Sequence, residues 1–252
     1  MPPSTTTRRF DAVICDIDGC LGPERASDPL DAERLLEVAR YNRLARERLD
    51  RPEVTLCTGR PQPFAEAISR LIDNRLPMVC EMGVWLWWPE DNRYDRDPAI
   101  STADMHVIHE ASEWIESTFG GKGVVQQPGK VASISLYHAD TDYLKSLDAR
   151  LREEFDRRGW PLRVAATWLW INIELTHVSK ASGIERVMEA RGFTRDRLAG
   201  IGDTIGDRAI REHVAHFACP ANAQNELKPH ADFVSKEDEV AGVLDILGRL
   251  VG

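Results

Sequence analysis

No run of about 18 apolar residues occurs anywhere in the chain, so no segment is long enough to cross a bilayer as a helix. The opening stretch MPPSTTTRRF carries no apolar core of the kind a secretory leader needs, and residues 1 to 8 read as a loose tail. Five cysteines are present, but none form a CxxC pair or a zinc-ligand spacing. Cys15, Cys57, Cys80 and Cys219 lie in or beside apolar runs, as small buried thiols do in a reducing cytoplasm. Basic charge is in short supply: 32 Lys and Arg stand against 41 Asp and Glu, for a net charge of -9. That balance argues against a nucleic-acid backbone or an anionic membrane as partner, since both want a basic face. A small anionic substrate stays open, provided that local cations or a metal receive it. No internal repeat or low-complexity segment interrupts the chain. The composition that remains, 42% hydrophobic and 29% charged over 252 residues, is that of a cytoplasmic globular protein with one large domain or two modest ones.

From Phe10 onward, short apolar runs alternate with helical patterns. FDAVICD, EVTLCT and LPMVCEMG read as strands. DPLDAERLLEVARYNRLARERLD reads as a helix capped by Asp28 before Pro29, and QPFAEAISRLIDN as a second helix. Near-continuous apolar strands joined by helices predict a parallel sheet covered on both faces. After Gly83 the texture changes. VWLWWPEDNRYDRDP predicts a hairpin, Asp104 to Thr118 a helix, VASISLYH a strand, and PLRVAATWLWINIEL one or two strands. After Thr176 the parallel-sheet texture returns and continues to a closing amphipathic helix, EDEVAGVLDILGRLV. The expected plan is an α/β core made of residues 1–83 and 177–252, with an α+β domain inserted at 84–176.

Four strand or helix ends carry chemistry. In a parallel α/β sheet, ligands bind outside the carboxyl ends of the strands. Asp16 and Asp18 sit at such an end, two apart in extended chain, so both can face one spot. Two carboxylates so placed repel and want a cation or a shared proton between them. Thr58 and Gly59 end another strand just before a helix, offering a hydroxyl and free N–H groups to an anion. Lys180 opens a helix, where its charge opposes the dipole unless it grips a phosphate. Asp203 ends a strand and Asp207 follows four residues later, on one face if a helical turn begins there. Converging carboxylates of this kind suit Mg²⁺, which takes few protein ligands and keeps several waters.

In the order Asp16-Ile17-Asp18-Gly19, Thr58, Lys180 and Gly202-Asp203 through Asp207, the sequence resembles the haloacid dehalogenase-like superfamily. The resemblance implies a Mg²⁺-dependent phosphatase that works through an aspartyl-phosphate. In that scheme Asp16 is the nucleophile and Asp18 the acid and then the base. Asp16, Asp18 (through its backbone carbonyl), Asp203 and Asp207 serve the metal, and Thr58, Gly59 and Lys180 hold the phosphoryl oxygens. Only 40 positions separate Asp18 from Thr58, whereas 120 separate Arg60 from Lys180, so the insertion follows the third strand. That placement resembles the type IIB caps of Cof-like phosphatases, among them sucrose-phosphate, mannosyl-3-phosphoglycerate and phosphoglycolate phosphatases.

The implied substrate is a small phosphorylated metabolite, with Arg60 and Glu81 expected beside it. Lys122, Lys130 and His177 join Arg60 as cations able to meet a second anionic group. Trp85, Trp87, Trp88, Trp168 and Trp170 read mainly as packing between sheet and helices, with stacking on a sugar as the other reading. Three residues depart from the pattern: Cys20 for Thr, Met82 for Asn, and Gly206 for the Asn that buttresses the metal site. The alternatives are a phosphosugar mutase, whose second motif differs from TGR, and a non-catalytic phosphate-binding relative.

Overall fold

A computed structural model of the chain describes residues 8–25, 27–167 and 169–251. The tail up to residue 7 and Trp168 lie outside the described residues. In chain order, β1 (Ala12–Cys15) leads through a long loop to α1 (Ala32–Arg48), β2 (Glu53–Leu56), α2 (Gln62–Leu71) and β3 (Met78–Cys80). The hairpin β4 (Trp85–Trp88) and β5 (Arg93–Arg96) follows. Next come α3 (Thr102–Phe119), β6 (Val125–Gln126), β7 (Ser133–Tyr137), α4 (Thr141–Ser146), α5 (Asp148–Arg158), β8 (Leu162–Ala166) and β9 (Trp170–Leu175). The chain closes with α6 (Lys180–Arg191), β10 (Leu198–Ile201), α7 (Arg208–His213), β11 (His216–Cys219), β12 (Phe233–Val234) and α8 (Glu239–Arg249).

The first sheet has the order β12-β11-β10-β1-β2, and every pairing in it is parallel. A parallel bridge between Cys57 and Val79 attaches β3 beyond β2. Every residue of β1, β2 and β10 is buried; β1 and β10 accordingly read as unbroken apolar runs, whereas β2 buries Glu53 and Thr55 along with Val54 and Leu56. All five cysteines are buried as free thiols. Asp31, not Asp28, caps α1: its carboxylate accepts the Arg34 N–H at 3.0 Å, and Pro29 stays in the preceding loop. Both aspartates suit a helix start, and only the path of the loop decides between them.

The hairpin that opens the expected insertion pairs with β3 in a three-stranded antiparallel sheet. Its Leu86 and Trp87 pack into the clusters of the parallel sheet, and Trp85 touches both that core and the next one. The second core lies under the antiparallel sheet β6-β7-β9-β8. Period-two alternation divides this sheet. Ile134, Leu136, Val164, Ile171 and Ile173 face α3 and α5 and bury against Ile108, Ile115, Leu151 and Phe155. At about 1.5–3 kcal/mol per buried large apolar side chain, that face fixes which side meets the helices. The other face carries Ser133, Ser135, Arg163, Asn172 and Glu174, brought side by side by the register Ser133–Glu174–Arg163 and Ser135–Asn172–Ala165.

Candidate active site

The site lies where adjacent parallel strands end. The ladder runs one residue past β1, with the Asp16 N–H donating to Ile201 O at 3.1 Å. Thr58 likewise extends β2 by donating to Val79 O at 3.0 Å, and Gly202 extends β10 by donating to Ala218 O at 3.3 Å. Asp16, Thr58 and Asp203 are therefore delivered to one edge by the backbone pairing itself. α6 adds Lys180 from its first turn, behind a Ser179 capping box. The close approach of α6 depends on Gly83, whose φ is 102° and where a Cβ would lie 2.1 Å from Ser179 O.

Lys180 Nζ donates to Asp16 Oδ2 at 2.8 Å and to Asp207 Oδ1 at 2.7 Å, all three side chains being buried. The Ile17 N–H donates to Asp16 Oδ1 at 2.7 Å. Asp207 Oδ2 accepts the N–H groups of Asp203 and Thr204, both at 3.0 Å. Both oxygens of Asp207 are thus committed, and it ties α6 to the loop after β10. Asp203 differs: the residue is 5% exposed, and among the described residues its carboxylate receives a single long contact, from the Cys20 thiol at 3.9 Å. Asp16, Asp203 and Asp207 each present an oxygen within 4.8 Å of the others.

Three enclosed carboxylates with one ammonium leave excess negative charge. Burial, opposed by Lys180 and reinforced by Asp207 and Asp18, pushes the Asp16 carboxyl up to about 8. Burial, with Asp207 and Asp16 adding, pushes Asp203 up to about 10. Burial works against the Lys180 charge, yet Asp16 and Asp207 hold the ammonium well above the usual lysine range. An under-satisfied set of hard carboxylate oxygens fits a divalent cation such as Mg²⁺, with Asp203 and Asp16 as the ligands that have capacity to spare.

The cavity over this edge measures about 370 Å³ and is walled from both sheets. Asp16, Asp18, Gly59, Lys180 and Gly206 line it from the parallel sheet; Arg163, Ala165, Asn172 and Glu174 line it from the polar face of the antiparallel one. Asp18 is gripped at two points by Arg60, from Nε at 2.8 Å and from Nη2 at 2.5 Å, and its carboxylate stands outside the three-aspartate group. Thr58 is fully buried, and its Oγ1 accepts the Arg60 N–H at 3.1 Å.

Glu81, expected beside the substrate, is placed elsewhere. It is 0% exposed, and its Oε1 accepts from Val131 N at 2.7 Å, Ala132 N at 2.8 Å and Ser133 Oγ at 3.0 Å. It joins the turn after β3 to the segment entering β7, and that turn runs through positive φ at Glu81 (48°), Met82 (56°) and Gly83 (102°). Of the other cations, His177 sits 3.6 Å from Asp104 and Lys122 lies over the Phe119 ring, away from the cavity wall.

Sequence reasoning missed Glu24. It lines the cavity from the loop after β1, and burial with the charge of Asp18 pushes its carboxyl up to about 7. No periodicity marks a loop carboxylate. Only its nearness to Asp18 in sequence pointed that way.

A family model described as haloacid dehalogenase-like hydrolase matches residues 124–247. The chain is 28% identical over 244 residues to a phosphoglycolate phosphatase of Methanothermobacter thermautotrophicus, covering 96% of this chain and 99% of that one. It is also 28% identical to the phosphoglycolate phosphatase of Halorubrum lacusprofundi, covering 93% and 95%. Among solved structures, a Thermoplasma acidophilum protein superposes with a TM-score of 0.70 at 19% identity, covering 96% and 98%. The sucrose-phosphatase of Synechocystis, solved with sucrose and phosphate, superposes with a TM-score of 0.67 at 16% identity, covering 97% and 98%.

Proposed function

We propose that the chain is a haloacid dehalogenase-like hydrolase, as the match over residues 124–247 and the 28% identical relatives support, and that it is a Mg²⁺-dependent phosphatase of a small phosphorylated acid of the phosphoglycolate type, acting through an aspartyl-phosphate on Asp16. The observation that carries the reading is the contact of Asp16 with Lys180 at 2.8 Å, beside Asp203 and Asp207, at the cavity floor. The similarity to phosphoglycolate phosphatases supports the choice of substrate class.

Asp16, Asp203 and the Asp18 backbone would hold the ion, with Asp207 orienting the set. When bound, the ion supplies positive charge that keeps Asp16 ionised and offsets the charge of the phosphoryl group. A carboxylate oxygen of Asp16 attacks phosphorus while the bond to the leaving oxygen breaks, and the Asp18 proton goes to that oxygen. Water then attacks phosphorus, Asp18 takes its proton, and the bond to Asp16 breaks. Lys180 and the N–H groups beside Gly59 receive the equatorial oxygens. Arg60 holds both oxygens of the ionised Asp18 in the free protein, and that grip must be released before Asp18 carries the proton to the leaving oxygen. The antiparallel sheet roofs the cavity and restricts water to the second step.

Phosphate release from p-nitrophenyl phosphate and from phosphoglycolate, with Mg²⁺ or with EDTA, tests the reading. Release with Mg²⁺ that EDTA abolishes is expected. Release unaffected by EDTA contradicts it, and phosphate binding without release points to the non-catalytic alternative.

A further inference from the structure

The loop between β6 and β7 holds Lys130 unusually firmly. Its neighbours Val131 and Ala132 give their N–H groups to Glu81. Gly129, at φ 87°, sits where a Cβ would be 3.6 Å from Pro61, next to Arg60. Lys130 Nζ donates to Ser135 Oγ at 2.6 Å, and that hydroxyl donates to Asn172 Oδ1 at 2.5 Å, on the cavity wall. The ammonium is thus linked by two hydrogen bonds, through Ser135, to Asn172 on the wall of the space above Asp16, while Lys130 itself lines the adjoining cavity with Gly129 and Ser133.

Its charge is unmatched at close range. Among the described residues no carboxylate comes within 4.0 Å of Lys130, whereas Arg163 on the same roof is paired with Glu174 at 2.6 Å. Burial pulls the ammonium below the usual lysine range, with Glu81 and Glu174 opposing from a distance and Arg60 adding to the pull. An ammonium has three donors, and a half-buried charge without an ion-pair partner favours an anion at hand. A neutral hydroxyl answers one donor and none of the charge.

Resting on the phosphatase reading above, we propose that Lys130 is a specificity-determining residue that receives the carboxylate of the leaving group, with Ser135 and Asn172 fixing its direction. The phosphoryl end of the substrate then meets Asp16 and Lys180 on the floor, and the carboxylate end meets Lys130 on the roof. An ester lacking the second anion leaves Lys130 as it is in the free protein and gains nothing from it.

The test compares kcat and KM for phosphoglycolate, 2-hydroxyethyl phosphate (of like length, without the carboxylate) and p-nitrophenyl phosphate, in the wild type, Lys130→Met and Lys130→Arg. A charge-assisted hydrogen bond of ordinary strength predicts that wild type prefers phosphoglycolate over 2-hydroxyethyl phosphate by about 10- to 100-fold in kcat/KM. Lys130→Met removes that preference through KM while leaving the other two esters within about 2-fold, and Lys130→Arg restores part of it. Equal losses on all three esters, or unchanged phosphoglycolate kinetics, overturn the proposal. The wild-type ratio alone decides if Lys130→Met does not fold. Hydrolysis of p-nitrophenyl phosphate without a phosphoglycolate preference refutes the role of Lys130 and spares the phosphatase reading. Hydrolysis of no ester refutes both.

Discussion

Replacing Gly19 by alanine moves Asp203 without altering any ligating group. Gly19 has φ 71°, and a Cβ there would lie 2.0 Å from Asp203 Oδ2 and 2.4 Å from its Cγ. The carboxylate must withdraw by about 1 Å, or turn to another rotamer, before the contact becomes tolerable. The left-handed backbone adds about 1–2 kcal/mol on its own. Gly159→Ala is the matched control: its φ is 67°, and nothing lies within 4 Å of the added carbon. Both variants should lose stability by about 1–2 kcal/mol from the backbone, with Gly19→Ala losing up to about 3 kcal/mol more from overpacking. Only Gly19→Ala should need more Mg²⁺ for half-maximal rate and lose about 100-fold in kcat/KM, the usual scale for a 1 Å misplacement. The assay is phosphate release against Mg²⁺ concentration, alongside thermal unfolding with and without the ion. If Gly19→Ala keeps the metal dependence and turnover of Gly159→Ala, Asp203 does not hold the cation.

Lys180→Met strands Asp16 and Asp207 in a buried site; removal of one member of such a set costs about 3–5 kcal/mol. In metal-free buffer the melting temperature should drop by about 6–20 °C, part of it recovered by Mg²⁺, and an unchanged melting temperature would mean that the ammonium is not buried between the two carboxylates. Glu24→Gln tests the raised carboxyl near 7. The folded protein holds a proton there that the unfolded chain releases near 4.5, so wild-type stability falls as pH rises through that window and the deficit is complete above it. Without metal, Glu24→Gln should therefore be more stable than wild type above pH 7, by up to about 3 kcal/mol, and equal to it below pH 4.5. A difference that grows on acidification contradicts the assignment.

The sheet and its edge were legible because the signal is local. The buried strands β1 and β10 announce themselves as apolar runs, and the residues one or two places past the strand ends are the ones delivered to the ligand edge, as at Asp16, Thr58 and Asp203. What the sequence could not convey is which side chains meet across the fold. The grip of Arg60 on Asp18 spans 42 positions, and the anchoring of the β6–β7 loop by Glu81 about 50. A carboxylate next to a motif reads as substrate-facing until the loop that buries it is in view. The polar turn after the apolar run of β4 identifies a hairpin, but its edge partner, β3, is set by chain path. The polar face of β7 to β9 was present in the sequence as Ser133, Ser135, Asn172 and Glu174. It became a cavity roof only when the apolar face had chosen the helices.

Covalent catalysis at Asp16 is open to direct measurement. The protein is mixed with ³²P-labelled phosphoglycolate and Mg²⁺, quenched in acid within one turnover, and digested. The account predicts a hydroxylamine-sensitive label on the peptide that contains Asp16, absent from Asp16→Asn together with phosphate release. Turnover that persists in Asp16→Asn, or a label on any other residue, contradicts it.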